Sequence, residues 1–218
     1  MQAQETNIIA LQQEHQQMNK YLNMATQKSL QPGRSQISYK HTYETDTFLP
    51  LSQAGVTALP QVIKQHAGQN RELRLRTTTE TKTRTVTARI IKLKLADLHI
   101  YNPGESYDCR ISINLEVNMN SPELDPELIT TQPSGTQPPL PERRKDRLSY
   151  KHLAYQVDLT KVDVAGMPGS KYELEIEVDA KVLREQMALA VQGAANAYRD
   201  VVEGLLNDAV FLMRQQKG

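Results

Sequence analysis

The stretch KYELEIEVD, residues 171–179, sets Glu173, Glu175 and Glu177 in alternation with Leu174, Ile176 and Val178. A period of two is the mark of a β-strand, so this strand has one apolar face and one face of carboxylates. Carboxylates spaced ~6–7 Å along a strand repel one another and raise each other's pKa. They persist where positive charge sits among them, supplied by neighbouring Lys and Arg or by a divalent cation.

The same division into faces recurs upstream. Arg74 and Arg76 share a face, as do Lys92 and Lys94. Arg110, Ser112, Asn114 and Glu116 oppose Ile111, Ile113, Leu115 and Val117. Lys145, Arg147 and Ser149 share a face, and Gln156, Asp158 and Thr160 oppose Tyr155, Val157 and Leu159. A sheet with one solvated side accounts for any single strand. Taken together, the charged faces contain few neutral fillers, and their sign changes from strand to strand. If the sheet closes, these faces line a polar interior with one cationic and one acidic zone, and the apolar faces turn outward against helices. Lys and Arg suit phosphate oxygens, and Mg²⁺ or Mn²⁺ suits carboxylate and water oxygens. Metal, cationic clamp and carboxylate together are equipment for phosphoryl transfer to water.

Composition sets the outer bounds. The 218 residues suffice for one substantial domain, expected over 1–218. Charge is balanced, with 26 Lys+Arg against 25 Asp+Glu, so only local clustering can argue for a polyanion partner. The lone Cys109 cannot form an internal disulfide and fits a reducing compartment. No apolar run approaches the ~20 residues of a membrane span, so no membrane partner is expected. The Gln-rich start is unlike a secretory signal.

Along the chain, residues 7–28 carry apolar residues at roughly helical spacing among good helix formers, so an N-terminal helix is expected within 1–30. Strands follow over 37–49, 71–80, 83–101, 107–120, 143–152 and 153–163, and the opening stretch adds another. A short helix is expected in 59–69. Residues 121–142 hold most of the prolines and are expected to be a flexible loop with little to offer a core. Residues 181–216 read as C-terminal helices, interrupted near Gly193. Strands bracketed by helices make this an α+β chain without βαβ alternation, and neither GxGxxG nor GxxxxGK[ST] occurs.

RISINLE (110–116), KDRLSY (145–150), YQVDLT (155–160) and YELEIEV (172–178), in this order, resemble the fungal RNA 5′-triphosphatases. These are the β subunits of the mRNA-capping enzyme, in the triphosphate tunnel metalloenzyme group. LRT at 75–77, ARIIK at 88–92 and the stretch from Met18 to Phe48 fit the same pattern. The resemblance implies an eight-stranded antiparallel β-tunnel. It implies metal-dependent removal of the γ-phosphate from nascent RNA 5′ ends, the first step of capping. Mg²⁺ or Mn²⁺ would be held by Glu175 and Glu177, with Glu173 supporting. Arg76, Lys145 and Arg147 would hold the γ-phosphate, while Lys92, Arg110, Glu116 and Asp158 line the tunnel and orient these groups. Free nucleoside triphosphates would serve as substrates with manganese or cobalt. A guanylyltransferase partner, homodimerisation and a nuclear location are implied as well.

One departure stands out. The family has a second acidic strand of Glu-x-Glu type near its N-terminus. Here Glu5 stands alone, and Glu44 and Asp46 fall where the family has a different strand. The expectation is therefore a tunnel lacking its first strand and weak or absent activity. A noncatalytic polyphosphate-binding or capping-complex scaffold is the alternative, and a tunnel enzyme acting on inorganic tripolyphosphate or a nucleotide is a more distant one. The five His residues show no metal-ligand spacing, and Arg143 and Arg144 can be read as solvated. Val201, Leu205, Ala209 and Leu212 mark an apolar helix face, for core packing or a dimer.

Overall fold

The computed structural model describes residues 2–67, 73–101, 108–121, 125–132 and 139–214, apart from residue 11; residues 2–10 are described through their backbone alone. The elements, in chain order, begin with β1 (Gln2–Ala10), α1 (Gln12–Ser29), β2 (Ser38–Pro50), α2 (Gln53–Ala58) and α3 (Gln61–Ala67). Then come β3 (Arg74–Glu80), β4 (Val86–Ile100), β5 (Cys109–Asn118) and α4 (Pro126–Ile129). The chain continues through β6 (Arg143–His152), β7 (Tyr155–Val164), β8 (Ser170–Val178), α5 (Ala180–Val191) and α6 (Tyr198–Arg214).

The strands close into one antiparallel barrel in the order β1-β5-β4-β3-β2-β6-β7-β8, and β8 returns to β1. Two expectations are thereby corrected. The first strand is present, and the N-terminal helix begins at Gln12 rather than near residue 7. Residues 2–10 lack strict alternation and contain good helix formers, so local propensity misleads. The open edges of β5 and β8 decide the matter, because their backbone groups need partners and β1 supplies both ladders.

Leu174, Ile176 and Val178 of β8 turn outward and join Tyr150, Leu159, Met18, Leu183 and the α6 residues Val201, Leu205, Ala209 and Leu212 in one apolar cluster. The α6 stripe thus packs on the barrel. On the opposite wall, Leu75, Ile91, Leu93 and Leu115 pack against Leu59 at the end of α2 and Ile63 of α3, and Ile129 of α4 is buried with them. That last contact refines the reading of 121–142 as a loop with little to offer a core: Ile129 of its short helix is buried. Residues 122–124 and 133–138 of that segment lie outside the described residues, as do 68–72 and 102–107 of the neighbouring expected elements.

Helix ends follow their sequence. Asp179 caps α5 by accepting from the backbone N–H of Lys181 and Val182, and Ser52 caps α2 by accepting from Gly55. Gly193, at φ +69°, lets the chain leave α5 in a left-handed conformation. In β4 the register shifts between Lys94 and Ala96. Before this bulge Lys92 and Lys94 pair with Glu116 and Asn114; after it Asp97 and His99 pair with Ser112 and Arg110. One extra residue changes the inward parity from even to odd and keeps polar side chains on the inner wall.

Candidate active site: a charged tunnel

The inner faces enclose a cavity of about 640 Å³. Cations reach it from four strands: Arg74 and Arg76 of β3, Lys92 and Lys94 of β4, Arg110 of β5, and Arg143, Lys145 and Arg147 of β6. Glu173, Glu175 and Glu177 of β8 line the same space with Glu116. Phe48 and Leu140 contribute apolar wall. Of the residues expected at the site, nine line this cavity; Asp158 lies behind it, fully buried against Arg147.

Each charge is set by a neighbour. Arg147 Nη1 donates to Asp158 Oδ2 at 3.1 Å, and Gln156 Nε2 donates to the same carboxylate. Burial opposes the Arg147 charge, but Asp158, Glu175, Glu44 and Glu177 outweigh it and raise the guanidinium pKa. Arg143, which the sequence left as solvated, donates to Glu173 at 3.0 Å. Lys92 and Glu116 lie 3.6 Å apart across β4 and β5. Lys94 and Ser112 both donate to Asp97 at 2.6 Å.

Asp46 and Thr78 are site residues that the sequence reading passed over. Asp46 is 0% exposed; it forms an ion pair with Lys145 and accepts from the Thr78 hydroxyl at 2.7 Å. Burial pushes the Asp46 carboxyl up, but the Lys145 ammonium and the Thr78 hydroxyl prevail and hold it below its ordinary value. Burial lowers the Lys145 ammonium below the usual lysine range; Asp46 counters this while Arg147 and Arg76 add to it. Glu44, Asp46 and Phe48 share the parity of the inner face, which was the available signal.

Four donors on this wall point to what the cavity takes. Arg76 Nε, Arg110 Nε, Arg147 Nε and Asn114 Nδ2 are buried with no hydrogen-bond partner among the described residues. An orphaned buried donor costs about 1–3 kcal/mol, so four around one cavity fit a ligand rich in acceptors and negative charge.

Carboxylates are the donors that hard divalent cations take, and Glu175 and Glu177 offer two on one wall. Among the described residues no three His, Cys, Asp or Glu side chains form a metal-binding group. The β1 register supplies the missing position: Glu5 pairs with Glu177 and Asn7 with Glu175. The strand expected to be missing is therefore in place, and its register sets Glu5 and Asn7 opposite the acidic strand. His41 pairs with Asp146 and His15 stacks near Tyr172, so neither belongs to a metal set.

A closed antiparallel barrel with a cationic and carboxylate-lined tunnel defines a polyanion-binding class of protein. The chain belongs to the family described as mRNA capping enzyme, beta chain, whose model matches residues 7–217. The mRNA-capping enzyme subunit beta of Schizosaccharomyces pombe is 31% identical over 93% of this chain and 59% of its own length. That of Cryptococcus neoformans is 27% identical over 92% of this chain and 44% of its own. The chain thus spans about half the length of these curated relatives. Among solved structures, S. pombe Pct1 RNA triphosphatase in complex with the Spt5 CTD matches with a TM-score of 0.74 and 24% identity, over 99% of this chain and 87% of that one. A Mimivirus capping-enzyme triphosphatase matches at 0.54 and 10% identity, over 98% and 89%. These two likenesses show the shared fold.

Proposed function

We propose that this domain is an RNA 5′-triphosphatase that removes the γ-phosphate from nascent transcripts, the first step of mRNA capping. The four orphaned donors carry the reading, because a triphosphate end brings many acceptor oxygens on one flexible chain. Arg76, Lys145 and Arg147 hold the γ-phosphate and neutralise charge that develops as its bond breaks. Arg110 and Lys92 orient the β- and α-phosphates, and Glu116 keeps Lys92 in place. Asp158 fixes the Arg147 fork, and Asp46 fixes Lys145.

Glu175 and Glu177 would hold Mg²⁺ or Mn²⁺, which when bound polarises phosphate oxygens and water. Glu173 supports the site through Arg143. The domain acts beside a guanylyltransferase in the nucleus. The closed barrel removes one ground for reading the chain as an inactive scaffold, since β1 fills the gap on which that reading rested.

The deciding experiment is manganese-dependent release of radiolabelled γ-phosphate from triphosphate-ended RNA by the purified chain. Turnover is expected, with a loss of at least a hundredfold in Glu177→Ala and in Arg147→Ala. Absence of release from both RNA and free ATP would refute the reading.

A further inference from the structure

The tunnel does not end at the site just described. Along the inner face of β6, Arg143, Lys145 and Arg147 line the larger cavity, and Arg147, Ser149 and Lys151 line a second of about 320 Å³. Arg147 is common to both, so the two spaces adjoin at this residue. Ser38, Lys40, Thr42 and Glu44 of β2 and Gln156 of β7 complete the smaller wall on the same inner-face parity. That wall is wholly polar, with Lys40, Arg147 and Lys151 against Glu44. The larger space carries Phe48 and Leu140, which suit a nucleobase or ribose.

We propose that the smaller cavity is the back door of the tunnel, through which attacking water arrives and orthophosphate leaves, with Lys40 and Lys151 as the orthophosphate-binding residues at its mouth. The inference rests on the hydrolase reading above. In phosphoryl transfer the attacking and leaving oxygens lie roughly in line with the phosphorus. RNA filling the larger cavity puts the leaving diphosphate on that side, so water must come from the opposite one. The water oxygen joins the γ-phosphorus, and the bond to the β–γ bridging oxygen breaks. That oxygen keeps the electron pair on the RNA diphosphate, and the water's two protons pass to orthophosphate and solvent.

The product is then formed against Arg147, with the RNA diphosphate still blocking the larger cavity. Arg147 is pinned by Asp158, and its Nε is buried with no partner among the described residues. It can keep hold of the departing phosphate while Thr42 and Ser149 offer hydroxyls. Lys40 and Lys151 are exposed and supply charge at the outer end; Lys151 also lies 3.6 Å from Asp179.

The test is orthophosphate inhibition of manganese-dependent turnover at several concentrations of triphosphate-ended RNA. Noncompetitive inhibition is expected for the native chain. In Lys40→Glu/Lys151→Glu the inhibition constant for orthophosphate should rise tenfold or more. Phosphate release should lag behind cleavage as a burst, with the KM for RNA within twofold of native. Lys40→Glu alone should move the same constants in the same direction, which guards against a folding defect in the double variant. Competitive inhibition that neither variant alters overturns the proposal. An activity-independent arm titrates orthophosphate by calorimetry into protein already saturated with tripolyphosphate without metal. Binding weakened tenfold by Lys40→Glu supports the back door, and no binding in that state overturns it. Native protein that binds orthophosphate there yet shows no turnover refutes the hydrolase reading instead.

Discussion

The Asp46–Lys145 pair shows how one residue sets another's chemistry. Asp46 is fully buried and Lys145 nearly so, so removing one partner leaves an uncompensated buried charge. Asp46→Asn is expected to cost on the order of 3–5 kcal/mol in urea unfolding and to displace the ammonium from the position proposed for it on the γ-phosphate. Because the Asp46 carboxyl is held below its ordinary 3.8, its stabilisation is complete above that pH and is lost as pH falls further. The acid-unfolding limb should therefore flatten in Asp46→Asn. Lys145 has the opposite consequence for activity. Its ammonium loses its proton below the ordinary 10.5, so the KM for triphosphate should climb on the alkaline side before that value. Lys145→Arg should remove that limb, since a guanidinium stays charged throughout. A pH–KM profile of both proteins checks this.

At the scale of elements, closure and contact override local preference. The β4 bulge illustrates the limit of reading faces by alternation. Counting from Lys92 by twos past Leu95 would have put Ala96, Leu98 and Ile100 on the inner wall, whereas the register puts Asp97 and His99 there. The contact between α2 and α4 depends on a missing side chain. A Cβ on Gly55 would lie 2.1 Å from the Ile129 carbonyl oxygen, so Gly55→Ala should destabilise the chain by about 1–3 kcal/mol in thermal unfolding. In β1, Asn7 occupies the register position opposite Glu175. Asn7→Glu should lower the manganese concentration for half-maximal γ-phosphate release several-fold; an unchanged metal titration would separate β1 from the proposed metal site.

For the whole molecule, the tunnel concentrates charge that the composition hides. A net charge of +1 argues for no partner, yet eight Lys and Arg side chains meet in one cavity. A polyanion that fills it binds the folded chain alone. Tripolyphosphate at a hundred times its Kd should stabilise by about 2.7 kcal/mol, a Tm rise of roughly 5–10 °C for a domain of this size. The rise should shrink with added salt, which differential scanning fluorimetry can follow. Arg76→Ala and Arg147→Ala should blunt it, and Lys151→Ala should leave it nearly unchanged.

The sequence by itself determined that alternating strands carry one apolar and one charged face. KYELEIEVD, the Arg74/Arg76 pair and the Lys145/Arg147 pair state that in their own spacing, because side chains in a strand alternate by geometry alone. It also determined the α6 stripe, whose four buried residues recur at helical spacing. Tertiary structure alone decided which charged faces meet. Strand order joins β2 to β6 and β1 to both β5 and β8, and nothing local encodes those pairings. It made residues 2–10 a strand, because two open ladders demanded partners. It also placed Asp46 beside Lys145 by joining two strands distant in the chain, turning an ambiguous acid into the buried partner of a cation on the tunnel wall.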